Sequence, residues 1–131
     1  MLRSFIGVVT GLAVWLVIAA VAGLIMRATW PAYASVADSM TFTLPMMIMR
    51  LSIGAFATIT MGSVTACLTQ SALARLAPGF ILLIVFIPEH VMLWDKFPIW
   101  YHLAFLLSLV PLTYLGISVS RTVMRQSSGE Q

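Results

Sequence analysis

The chain has 131 residues, of which 61% are hydrophobic and 8% charged, and its formal charge is +3. An average soluble domain carries roughly 25% charged residues, and a small water-soluble domain has too little volume for its surface to hide so much apolar area, so lipid is the expected solvent. The length admits one domain over 1–131, and the basic residues are scattered singly, with no stripe to follow a phosphate backbone, which excludes nucleic acid as a partner.

The first expected span, 5–26, carries no charge and is long enough to cross a hydrocarbon core. It is also too long for the apolar core of a cleaved signal peptide, so it is expected to remain in place. Gly7 and Gly11 stand four apart, and the same row continues through Trp15, Ala19 and Gly23. Small residues at this spacing let helix backbones approach closely in lipid. The long connection 29–43 is expected to hold a short surface helix, with Thr29 as its cap and Pro31 near its start.

The second expected span, 45–72, opens with Pro45, suited to a first helical turn. Arg50 begins a four-residue row that continues through Gly54, Thr58, Gly62 and Ala66. Met40, Met46, Met47 and Met49 read as packing filler rather than soft metal ligands. Cys67, the one cysteine, reads as a small buried side chain with no disulfide partner. Pro78-Gly79 is expected to break the chain between the second and third spans.

The third expected span, 77–94, has a shorter uncharged run and must continue through Glu89 and His90 to cross; it is read as a span because its neighbours need a return path, and a re-entrant segment is the alternative. Asp95-Lys96-Phe97-Pro98 then makes a turn into the fourth span, 98–120. That span places His102, Leu109, Thr113, Gly116 and Ser120 near one face, with a kink expected at Pro111 and the freed carbonyl relieved by Thr113 or a neighbour. The polar segment 121–131 is expected to be a flexible tail. The fold expected is therefore all-α, an integral membrane bundle of four transmembrane helices at about 5–26, 45–72, 77–94 and 98–120.

An even number of spans puts both termini on one side. Arg3, Arg75, Arg121 and Arg125 lie there, against Arg27, Arg50 and Lys96 on the other, so the positive-inside rule places both termini in the cytoplasm, of a plasma (inner) membrane protein. Trp30, Tyr33, Trp94, Trp100 and Tyr101 gather at the opposite face as a head-group belt. Gly7, Gly11, Gly54, Thr58, Gly62, Ala66 and Gly116 are expected at helix–helix contacts, within the chain in preference to a dimer surface.

Arg50, Glu89, His90 and His102 break the apolar pattern at similar depth and form the candidate polar cluster, with an Arg50–Glu89 ion pair as its core. The plain alternative is that Arg50 snorkels to the head groups while Glu89 and His90 sit in the wet interface. His90 and His102 lack a convincing third ligand and any HxxxH or CxxCH spacing, so no metal or cofactor is expected. No G-x-S-x-G, HExxH, P-loop or GxGxxG motif is present, and an enzyme is not expected. The first span also lacks the embedded acid of the small multidrug-resistance transporters, and the motifs assign no family.

The function expected is an interaction, assembly or subunit role in the bilayer, with a second membrane protein or a further copy as partner. A small oligomeric transporter or channel using the polar cluster is the alternative, and a haem- or quinone-linked redox subunit is third.

Overall fold

A computed structural model describes residues 1–129, with side chains described through Ser127. The helices are α1 (Leu2–Thr29), α2 (Pro31–Val36), α3 (Leu44–Leu68), α4 (Ala72–Met92) and α5 (Ile99–Gly129). All but α2 are long and apolar enough to cross a membrane, and the protein is an all-α four-helix membrane bundle. At 21 residues, α4 is no shorter than a span requires.

The spanning helices form a ring in the order α1, α3, α5, α4, closed by a thinner contact between α4 and α1. α3 is the central element because its small-residue row faces both neighbours. Gly7 of α1 lies against Leu68 and Thr69, and Gly11 against Met61 and Thr65. On the other side, Gly62 meets the backbone of Thr113, and Gly116 meets the backbone of Ile59 and Ser63. Ser63 Oγ seals this second seam by donating to the Gly116 carbonyl at 2.8 Å. Thr58 and Ala66 are buried, and Gly54 lies against the ring of Phe105. Polar side chains in these seams bond within the bundle, as hydrocarbon requires. Trp15 Nε1, for example, donates to Thr58 Oγ1 at 3.0 Å, while Thr58 itself donates to the Gly54 carbonyl.

Several boundaries differ from the sequence expectation. The break between the second and third spans falls at Thr69–Ser71, not at Pro78-Gly79. Thr69 leaves the helix in an extended conformation (φ −127°, ψ 145°). Arg3 Nε donates to the Leu68 carbonyl at 3.2 Å and Arg75 Nε to the Thr69 carbonyl at 2.9 Å, so two cations satisfy the end of α3. Ser71 Oγ then accepts from the Ala74 amide at 3.3 Å and caps α4. Pro78 and Gly79 lie buried inside α4, and Gly79 is where α4 meets the side chain of Thr113.

Trp30, not Thr29, is the N-cap of α2, and Thr29 Oγ1 donates back to the Ile25 carbonyl at 2.7 Å. Pro111 frees the carbonyl four residues before it, but Thr113 Oγ1 donates to Leu109 at 2.7 Å and leaves that freed group alone. Helix α5 continues past 120 through Gly129, so the expected tail is helical that far, and its last two residues lie outside the described ones. Cys67 is exposed on the apolar outer surface instead of buried.

Candidate functional site

The half of the bundle away from the termini is built differently, around an elbow, a helix start and a hairpin. The elbow is the α1–α2 junction, held by an Arg27–Asp38 ion pair at 3.1 Å. It folds α2 over the bundle, and Met26, Tyr33, Ala37 and Met46 form a small core beneath it. The helix start is the first turns of α3, which carry Arg50. The hairpin is the turn 93–98, closed by Lys96 N donating to the Leu93 carbonyl at 2.9 Å. It sets His90 near the end of α4 beside His102 near the start of α5.

Arg50 points along this surface and is gripped by neutral groups. Its Nη1 donates to Tyr33 Oη at 2.7 Å and its Nε to Tyr101 Oη at 3.3 Å. The guanidinium carbon lies 4.8 Å from the centre of the Phe42 ring, a cation–π contact. The expected Arg50–Glu89 pair is not formed, and Arg27–Asp38 is the one ion pair within 4.0 Å among the described residues. A guanidinium has five N–H donors. The two tyrosines take one each, so three remain. Each phenol oxygen accepts from Arg50, which leaves its own O–H free to donate.

The tyrosines are themselves fixed by ring packing. Tyr33 stacks on Phe42 (5.1 Å between centroids), Phe42 on Phe97 (5.9 Å), Phe97 on Tyr101 (4.7 Å), Tyr101 on His90 (6.3 Å) and His90 on Phe105 (4.9 Å). Interplanar angles along the column stay between 15° and 25°. One continuous wall of rings therefore joins α2, the hairpin and α5. Tyr33 and Tyr101 are buried in it, whereas the sequence expectation placed them in a head-group belt. Trp94 and Trp100 do remain exposed.

His90 and His102 form the second polar feature. Their Nδ1 atoms are 2.7 Å apart, a hydrogen bond in which one ring donates and the other accepts. Trp94 stacks on His102 at 4.8 Å and 11°. His102 is fully buried, and its Nε2 has no partner. Either tautomer therefore leaves one group on His102 unpaired, an N–H or a lone pair. A tetrahedral zinc bonded to both nitrogens at about 2.0–2.1 Å would hold them roughly 3.3 Å apart, so the 2.7 Å separation is that of a hydrogen-bonded pair. The described residues hold no group of three His, Cys, Asp or Glu side chains that could bind a metal ion.

These features border one open cleft of about 280 Å³. Trp15, Ala19, Gly23 and Met26 supply its α1 side, and along them it reaches about 16 Å down that helix. Arg50, Tyr33 and Tyr101 form a donor-rich corner, while Glu89 and His90 border it from α4. Of the four residues singled out from the sequence, Arg50, Glu89 and His90 share this cleft. His102 lies behind His90 and does not line it. Sequence reading missed Tyr33 and Tyr101 as ligands of Arg50, and missed Phe42, Phe97 and Phe105 as the wall. Their only sequence signal was the density of aromatic residues near the Arg50 end.

The fold and site define a small polytopic membrane protein with a one-ended polar cleft. No protein-family model, curated protein or solved structure matches the chain.

Proposed function

We propose that the protein is a non-catalytic binding subunit of the plasma membrane, with both termini in the cytoplasm and the cleft near the outer face. There it holds an amphipathic ligand by an anionic head, and the apolar outer faces of its helices meet lipid and a partner, either another membrane protein or a second copy. The observation that carries this reading is the imbalance at Arg50. Three guanidinium N–H groups and two phenol O–H groups converge where no carboxylate lies within 4.0 Å of the cation. A charge kept at membrane depth usually has a counter-charge, and a phosphate or carboxylate head supplies one that suits the planar fork of arginine.

The test is retention of phosphate-headed lipid by the purified protein, read by native mass spectrometry after reconstitution in nanodiscs. Loss of a charge-assisted hydrogen bond is worth about 1.5–3 kcal/mol, so Arg50→Gln should weaken retention at least about tenfold. Equal retention by a folded Arg50→Gln protein would sink the reading. A transport role is favoured by one observation, that the ionisable Glu89 and His90 border the same cleft. Ion flux into proteoliposomes that wild type supports and Glu89→Gln abolishes would select it.

A further inference from the structure

We propose that the cleft selects a zwitterionic head group of the phosphoethanolamine type, with the phosphate on Arg50, Tyr33 and Tyr101 and the primary ammonium on Glu89. This deepens the binding role proposed above and rests on it. Two opposite charges line one cavity without pairing with each other: Arg50 is held by phenols, and Glu89 makes no ion pair within 4.0 Å. A simple anion would satisfy the first and leave the second. A ligand carrying both charges satisfies both and closes the gap between them.

The choice of a primary ammonium over a quaternary one follows from the rings. Quaternary ammonium groups are recognised by open aromatic faces. Here, beside Arg50, Phe97 and Tyr101 have both faces covered within the column, and Tyr33 stacks between Phe42 and the tilted ring of Trp30; the other lining rings, Trp15, Phe86 and Phe105, pack on one another and on His90. A carboxylate is left as the ammonium partner, and it accepts the N–H donors that a trimethylated nitrogen lacks. Size points the same way. The cleft is just below the ~300–1,000 Å³ of pockets that enclose drug-sized molecules, so at about 280 Å³ it takes a head group and not a whole lipid. An apolar groove of about 470 Å³ between α1 and α3 shares Ile53 with the cleft. An acyl chain lying in that neighbouring groove would favour a lipid over a soluble compound with the same head.

The experiment places wild type, Glu89→Gln and Arg50→Gln in nanodiscs containing equal parts phosphatidylethanolamine, phosphatidylcholine and phosphatidylglycerol, and reads bound lipid by native mass spectrometry. The Glu89 side chain is exposed and makes no ion pair, so its substitution should leave thermal unfolding unchanged. Wild type should enrich phosphatidylethanolamine about tenfold over the other two, one charge-assisted contact's worth. Glu89→Gln should lose that preference while still binding phosphatidylglycerol, and Arg50→Gln should lose all three. Preference for phosphatidylglycerol in wild type, or an ethanolamine preference that survives Glu89→Gln, overturns the proposal and leaves the anion-binding role standing. Indifference to Arg50→Gln overturns both. Soluble glycerophosphoethanolamine should compete only at concentrations above the lipid's, and glycerophosphocholine only at about tenfold higher ones still. Equal competition by the two soluble compounds would also overturn the assignment.

Discussion

The two halves of this bundle solve the same problem with opposite materials. Near the termini, glycines bring backbones together: Gly11 meets Met61 and Thr65, Gly62 and Gly79 meet Thr113, and Gly116 meets Ile59. Away from the termini, large rings hold the helices apart and leave a cleft. Hydrocarbon gives helices no hydrophobic drive to associate, so close packing has to supply the cohesion. The close half supplies it, and the ring-walled half is thereby free to keep a cavity and a charge. Close backbone packing and the polar cleft are divided along the bundle axis.

The largest break in this comparison should come from Gly116. A Cβ there meets the backbone of Ile59 and Ser63, which cannot swing aside as a side-chain tip can. Gly116→Val should cost about 3 kcal/mol, the upper end for overpacking, seen as loss of monodisperse protein in mild detergent. Next is Trp15→Phe, at the border between the halves. It removes the 3.0 Å bond to Thr58, and thermal unfolding should show a loss of about 1–2 kcal/mol. His102→Phe should cost less, about 1 kcal/mol, because the lost hydrogen bond and the His90 Nδ1 left without a partner are partly offset by removing an unpaired buried nitrogen. The smallest effect belongs to Gly23→Ala. An added Cβ there meets nothing within 4 Å, so stability should change by no more than about 0.5 kcal/mol. A large loss at Gly23, or tolerance at Gly116, would reverse the assignment of roles to the two halves.

Three of the four spans were legible because uncharged runs of bilayer length are a strong and local signal, and the third followed from the return path its neighbours need. The small-residue rows were legible for the same reason, since Gly7 and Gly11, or Gly54 and Gly62, share a face by spacing alone. Pro78-Gly79 misled because its residue types mark a turn in water. In lipid the same pair sits inside a helix, where glycine serves close approach to Thr113. At the polar triplet that does break the chain, Thr69–Ser71, Arg75 from the next helix holds the Thr69 carbonyl and Arg3 from α1 holds the Leu68 carbonyl just before it, a distant contact that no local pattern announces. Arg50, His90 and His102 stood out as ionisable groups among apolar ones. Their partners did not, because a tyrosine that binds arginine and one that anchors a head-group belt look alike in sequence. Only the fold of α2 over the bundle puts Tyr33 on the first side of that choice.

The sealed nitrogen of His102 has a further consequence. The imidazole pair is a blind alley: a proton entering from the cleft passes His90, reaches His102 and finds no exit, because Nε2 faces no acceptor or donor. The hydrogen that the two rings share lies on the cleft side of His102, which the proposed head group would cover. Exchange at the His102 ring would then be a clock for how long that cover stays in place.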